Sequence, residues 1–368
     1  MLDKFAGVFA DVIVTRVCRI LGSVVRTDAN PCHPAMFSHK RILVVKPCCL
    51  GDSLMSTPAI AELKGAIPSS KITVAVSDWA VPAVKSNPDI DEIWNIGMVG
   101  IPRKYGIWSY IRFVRQMRSA GYDACFVLDR SPLMGLACLM GGIPIRLGID
   151  SVGRGFALTH RVSETNGVNE ATLYLDVVKA AGVPVTGMHA KFRPSHKDIL
   201  TIQNTASELG LDLAKCIAIA PGGGVNPGNS ALSKRWSPYA YAQLVDHIFE
   251  NTSVTPILVG TQSDAGNIQV VMDRSVAPCV DLHGTTSFGE LGALISKCQA
   301  FVGNDSALAH LAAAVDVAGV AVFTVTDPRA FKPSGRFIRT VIAGERTSTV
   351  TSVARNVSDM INKRRDLF

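Results

Sequence analysis

The segment Arg41-Ile-Leu-Val-Val-Lys-Pro-Cys-Cys-Leu-Gly-Asp-Ser53 decides the fold class. Its first six residues are nearly all apolar and rich in β-branched side chains, as in a strand buried on both faces of a parallel sheet. A turn containing Gly51 follows, and Leu54 to Ala66 then runs at helical spacing. Outward from there, strands are expected at Lys71–Val76, Glu92–Ile96, Ala124–Asp129 and within 141–148, with a basic amphipathic helix at Tyr110–Ala120. Strands alternating with helices imply βαβ units and a doubly wound parallel sheet.

The same rhythm restarts after the polar stretch His189–Lys197. Strands are expected at Cys216–Ala220, Thr255–Gly260, Val280–Leu282, Ala300–Gly303 and Val320–Thr324. Helices are expected at Ile199–Leu209, Tyr239–Glu250, Phe288–Lys297 and Ser306–Val315. The chain therefore divides into an N-terminal extension (1–40), two α/β domains (41–192 and 193–345) and a C-terminal helix (346–368). A length of 368 residues agrees with two domains, because one core rarely grows beyond ~300 residues. Ligands of such sheets bind at the carboxyl ends of the strands, so a cleft between two such domains is the expected site.

Composition narrows the function class. With 48% hydrophobic and 18% charged residues, the chain is not intrinsically disordered. The net charge of +7 favours anionic partners. The basic residues are dispersed, without an aromatic RNA-binding pattern or a helix-turn-helix, so nucleic-acid binding is not expected. The nine cysteines form no C-x-x-C pair and no zinc-like spacing, and most lie in apolar runs, which fits a reducing cytoplasm and no metal site. No stretch is long and apolar enough to span a membrane. In 5–26, Asp11, Arg16 and Arg19 interrupt the apolar run, which matches a signal peptide poorly. An amphipathic helix on the inner face of the cytoplasmic membrane and an appendage packed on the protein's own body are both compatible with it. Lys363-Arg364-Arg365 reads as a solvated helix end.

Three segments just after strands carry the chemistry. Gly51-Asp52 follows the first strand; Asp52 there can cap the next helix or act as a base. Pro221-Gly-Gly-Gly224 opens a loop ending in Lys234-Arg235, where backbone amides and two cations can meet a diphosphate; the plain alternative is a solvated basic loop. Gly303-Asn-Asp-Ser-Ala-Leu-Ala-His310 places Asp305 or Ser306 at a helix start whose free amides suit an anion, while His310 alone can equally be a core histidine. None of these is a G-x-G-x-x-G or a Walker loop, so dinucleotide and P-loop readings lose support.

Taken together, Lys-Pro-x-x-x-Gly-Asp-x-x-x-x-Thr-Pro (46–58), Ala-Pro-Gly (220–222), Lys-Arg-Trp (234–236), Leu-Val-Gly (258–260) and Gly-Asn-Asp-Ser-x-x-x-His-x-Ala-Ala (303–313) resemble glycosyltransferase family 9. Its best-known members are ADP-heptose:lipopolysaccharide heptosyltransferases. The resemblance covers about 41–330 and includes Asn169–Gly182, similar to the family's inter-motif helix. It implies a GT-B fold, two Rossmann-like domains, with the acceptor on the first and the nucleotide sugar on the second. By motif position it implies Asp52 as general base, with Gly51 beside it. Lys234 would serve as catalytic cation on the diphosphate, joined there by Gly222 and Arg235. Asp305, Ser306 and Ala307 would meet phosphate at a helix N-terminus, with His310 close by. Asp264 falls at the ribose position and Thr286 at the adenine. Ala307 stands where a glycine is common in the family.

The residue types suit inverting glycosyl transfer, which needs one base and a stabilised leaving diphosphate. A lysine at the leaving group can stand in for a divalent ion, and neither a metal nor a cofactor is implied. The favoured reading is transfer of a heptose from a nucleotide donor, ADP-heptose, to a saccharide or lipid-linked acceptor at the cytoplasmic membrane face. The alternatives are another sugar or a soluble small-molecule acceptor, and a non-catalytic sugar-nucleotide-binding protein. Loops 98–109 and 131–155, with Arg103, Lys104, Arg130, Arg146 and Arg154, are candidates for an anionic acceptor.

Overall fold

In the computed structural model the described residues are 13–23, 25, 27, 31–165, 167–344 and 348–365. The part of the N-terminal run before residue 13 and the side chains of Lys363-Arg364-Arg365 lie outside them. In the first half, helix α1 (13–23) precedes β1 (Arg41–Val45), α2 (Leu50–Ala66), β2 (Lys71–Val76), the single turn α3 (Val81–Val84) and β3 (Glu92–Asn95). Then come α4 (Ile107–Ala120), β4 (Ala124–Val127), α5 (Pro132–Met140), β5 (Ile145–Asp150), β6 (His160–Ser163) and α6 (Glu170–Lys179). Ile42 to Val45 and all of β4 are buried, which is why these strands carry no polar alternation.

The second half contains α7 (His196–Glu208), β7 (Cys216–Ala220), the short hairpin β8 (Val225–Asn226) and β9 (Asn229–Ser230), α8 (Pro238–Thr252), β10 (Thr255–Leu258) and α9 (Ala265–Arg274). It continues with β11 (Val280–Asp281), α10 (Phe288–Lys297), β12 (Ala300–Asn304), α11 (Ala307–Ala314), β13 (Gly319–Phe323), α12 (Pro328–Phe331), β14 (Ile338–Ile342) and α13 (Ser348–Arg365).

Both large sheets are parallel and share one connectivity. The first runs β3-β2-β1-β4-β5-β6 and the second β11-β10-β7-β12-β13-β14. Renumbered within each half, both are the 3-2-1-4-5-6 order of a Rossmann sheet. The order in which successive strands are added reverses between the first and fourth strands, and ligands bind outside the carboxyl ends at that switch point. The switch points fall between β1 and β4, and between β7 and β12. The segments Pro47–Asp52, Pro221–Arg235 and Asp305–His310 all leave the carboxyl ends of those strands.

By its contacts the chain forms two units: Met1–Cys49 with Pro58–Val81 and Pro88–Met188, and Leu50–Thr57 with Pro82–Asn87 and His189–Phe368. The first turns of α2 thus pack with the second unit. Leu54 joins the buried cluster that holds Phe192, Phe301 and Leu311, and Thr57 Oγ1 accepts a 2.9 Å hydrogen bond from Lys191 N. On the opposite face of the second sheet, α8 and α13 build another core, with Tyr241, Val245, Val353 and Ile361 buried in it.

In the two large sheets, strands β6 and β14 were not expected from the sequence; nor was the short β8–β9 hairpin. β6 and β14 are sheet edges with partly exposed residues, so neither presents a continuous apolar run. Among the described residues seven cysteines form no disulfide, and six of them are buried. Cys48 and Cys49, adjacent in the turn after β1, are joined by a disulfide.

Candidate active site

The site is built on the second sheet's switch point. β7 ends at Ala220 and opens into a loop in which Gly223 and Gly224 take φ of +98° and +76°, a region that L side chains rarely adopt. The loop is held to β12 by Asn304, 1% exposed. Its Oδ1 accepts from Trp236 N at 2.9 Å and Tyr241 Oη at 3.0 Å. Its Nδ2 donates to the carbonyls of Pro221 at 3.1 Å and Gly222 at 2.8 Å. One buried amide therefore fixes both ends of the loop. The sequence reading gave Asn304 no role, although it lies inside the 303–313 motif.

Asp264 forms the second tie. Its Oδ1 accepts from Gly223 N at 3.0 Å and from the Arg235 guanidinium at 2.8 Å. Its Oδ2 accepts from Thr261 N at 2.8 Å and Thr261 Oγ1 at 2.9 Å, a capping box. Arg235 also donates from Nε to Gly223 O at 2.8 Å. A β-carbon on Gly222 would overlap the Asp264 carboxyl carbon, so only glycine lets these loops approach so closely. Both Asp264 oxygens are engaged and the residue is 3% exposed. Contact with a ribose hydroxyl, as the family resemblance implies, would require it to release one of these partners. Arg235 likewise points into its own loop rather than out beside Lys234.

Lys234 takes a different path. Its Nζ donates to Asp305 Oδ2 at 2.8 Å, and Thr326 Oγ1 donates to the same oxygen at 2.7 Å. The ammonium also stands 5.4 Å from the centre of the Phe331 ring. The Lys234 side chain keeps 26% of its surface exposed, whereas that of Asp305 keeps 4%. The lysine is thus held by a buried carboxylate and remains open to an anion. Just beyond, Ser306 is the N-cap of α11, but its side chain accepts nothing from the helix. The first amides of α11, on Ala307 and Leu308, have no carbonyl of their own helix to reach. A lysine beside a helix N-terminus can meet an anion.

His310 sits one turn into α11 and is 5% exposed. Burial holds its imidazole below the ordinary 6.5; Lys234 adds to the depression, while Asp305 and Asp52 oppose it. Its Nδ1 is buried with no hydrogen-bond partner among the described residues. Its ring lies against Gly51, where a β-carbon would come within 2.9 Å of Cδ2. Asp52 is in the first turn of α2, three residues past Cys49, which occupies the N-cap position. The negative charge faces the positive end of the α2 dipole. His310 therefore feels Asp52, Asp305 and Lys234 together, and all four belong to one compact unit.

Thr286 lies in the turn between β11 and α10, and its Oγ1 is buried without a partner among the described residues. That turn is joined to the Asp264 loop by Gly284 N donating to Gly260 O at 2.9 Å. A cavity of about 520 Å³ beside the start of α8 is lined by Arg235, Trp236, Tyr239, Gln243 and Thr324, but by none of Lys234, Asp305 and His310.

In the first unit, two of the suggested acceptor arginines are already engaged. Arg146, 7% exposed, donates to the carbonyls of Ala157 at 2.7 Å and Ile143 at 2.5 Å, so it braces β5 and is withdrawn from any acceptor. Arg130 pairs with Glu170 at 2.6 Å and Glu164 at 2.7 Å.

A family model for glycosyltransferase family 9 (heptosyltransferase) matches residues 110–357. The chain is 28% identical over 307 residues to lipopolysaccharide heptosyltransferase 2 of Salmonella typhimurium, a match covering 78% of this chain and 84% of that protein. Its structure is similar to a crystal structure of a family 9 glycosyl transferase from Veillonella parvula, with a TM-score of 0.76 and 20% identity over 89% of this chain and 98% of that one. It is also similar to Escherichia coli ADP-heptose lps heptosyltransferase II, with a TM-score of 0.70 and 22% identity over 88% and 99%. The two parallel sheets are the two Rossmann-like domains of a GT-B fold.

Proposed function

The chain belongs to glycosyltransferase family 9, the heptosyltransferases, and on that premise we propose that it transfers a heptose, with inversion, from ADP-heptose to the saccharide core of a lipid-linked acceptor of the lipopolysaccharide type. Asp52 takes the proton of the acceptor hydroxyl as its oxygen attacks the anomeric carbon. The bond from that carbon to the β-phosphate oxygen breaks, its electron pair leaves with ADP, and the developing charge is met by Lys234 and the amides at the start of α11. One displacement with one base and one stabilised leaving group inverts the anomeric centre.

Asn304, Asp264 and Arg235 serve as positioning residues that set the Gly222–Gly224 loop. Thr286, with its unpartnered hydroxyl, faces the adenine end of the donor. Relatives named for ADP-heptose and lipopolysaccharide support the choice of donor and acceptor. The observation that carries the reading is that the His310 ring packs against Gly51, next to Asp52, while Asp305, five residues before His310, holds Lys234 at 2.8 Å, which brings the base and the phosphate grip into one neighbourhood. The test is incubation with ADP-heptose and a heptose-free lipopolysaccharide core, followed by mass spectrometry and by NMR of the new linkage. One added heptose of inverted configuration supports the reading; hydrolysis alone, or retention, contradicts it.

A further inference from the structure

The first unit carries a helical surface that the transfer reaction does not use. On one flank α5 packs against α4, with Met134 and Ala137 in the same core as Tyr110 and Phe113. The Tyr110 hydroxyl donates to Leu133 O at 2.7 Å. On its other flank, Leu136 and Leu139 meet Cys18 of α1 and Phe156. α4, α5 and α1 thus lie side by side.

The outer sides of α1 and α5 and the start of α4 are apolar, where solvent-facing helices are normally polar. On α1, Ile13, Val17, Ile20 and Leu21 recur at spacings of three and four, and they are 49%, 48%, 67% and 42% exposed, turned away from buried Cys18. On α5, Leu133 and Met140 are exposed two turns apart, and Ile107 and Trp108 open α4, with Trp108 79% exposed. An apolar surface of this extent marks an interaction site.

The charge on it is of one sign. Residues 13–23, 107–120 and 132–140 contain no Asp and no Glu. Arg16, Arg19, Arg112, Arg115 and Arg118 are all exposed. On α4, Trp108, Arg112 and Arg115 follow one another at spacings of four and three, opposite buried Phe113 and Met117. Aliphatic bulk with an exposed tryptophan, flanked by arginines whose stems can lie on the same surface, matches the boundary between headgroups and acyl chains.

We propose that the outer surface of α1, α4 and α5 lies on an anionic lipid bilayer, with its apolar side chains at the acyl boundary and its arginines on the headgroup phosphates. This does not rest on which sugar is transferred, and it gives a lipid-linked acceptor a surface on which to be met.

The test is co-sedimentation of the full chain with phosphatidylcholine vesicles, with and without phosphatidylglycerol. Binding is expected only with phosphatidylglycerol; it should weaken at high salt and shift Trp108 fluorescence to the blue, a shift absent in Trp108→Phe. Arg112→Ala with Arg115→Ala should weaken binding about 25-fold, about fivefold for each arginine at ~1 kcal/mol per basic residue. Ile20→Glu with Leu21→Glu, at exposed positions, should abolish it. Transfer to a soluble core saccharide should stay at the wild-type level in all these variants. Equal binding to both vesicle types, unchanged binding in the variants, or a dimer disrupted by the same substitutions in place of vesicle binding would overturn the proposal.

Discussion

Gly51 and the ring of His310 lie against each other so closely that a β-carbon on the glycine would stand 2.9 Å from Cδ2. The buried ring on α11 is thereby the seat of the turn that carries Asp52, and any change in that contact moves the proposed base. Gly51→Ala should therefore cost about 1–3 kcal/mol of stability through overpacking. The larger effect is expected on kcat, a fall of ~10²-fold for a displacement of about 1 Å. ADP affinity, measured by calorimetry, should be retained because Lys234 and the start of α11 are untouched.

Removing the cation tests the other half of the site. Lys234→Ala should lower kcat by about 10²–10³, as expected when one stabiliser of a leaving group is lost. It also takes the ammonium away from the buried Asp305 carboxylate and leaves it the Thr326 hydroxyl, so the melting temperature should fall as well. Steady-state kinetics together with a thermal melt read both effects.

The pH dependence of stability follows from His310. Its folded pKa lies below the ordinary 6.5, so at mildly acidic pH the unfolded chain binds more protons than the folded one. The stability associated with a neutral ring is fully present above ~6.5 and is lost as pH falls from there toward the folded value. Melting curves across this range should show wild type losing more stability than His310→Gln. Parallel curves would mean that the ring takes up its proton equally in the folded and unfolded chain, and would contradict the downward shift.

Asn304 ties the glycine loop from inside. Asn304→Ala leaves the Gly222 carbonyl and the Trp236 amide without their present partner, at a cost of about 3 kcal/mol. KM for the donor should rise along with the loss of stability, because the loop proposed to face the diphosphate is no longer set. Denaturant unfolding and donor kinetics measure the two separately.

The sequence showed much of this, and its gaps have physical causes. Central strands such as β1 and β7 are unbroken apolar runs, so both sheets were legible together with the turns that leave them. β6 and β14 were not, because an edge strand half open to solvent lacks that run. The charged residues of the motifs could be named, but their directions could not. Lys234 and Arg235 are neighbours in the chain, yet one reaches Asp305 and the other turns back onto Gly223 and Asp264. That division depends on carboxylates 71 and 29 residues away. Asn304 was silent for a similar reason, since all four of its partners lie more than 60 residues earlier in the chain.

The most direct measurement is turnover of Asp52→Asn with ADP-heptose and a heptose-free core acceptor, set beside its affinity for ADP. The substitution keeps the size of the side chain and removes its ability to take a proton. The account predicts a fall in kcat of about 10²–10⁴ with ADP affinity unchanged. Turnover within a few-fold of wild type would show that another group accepts the proton, and the assignment of Asp52 as base would be withdrawn.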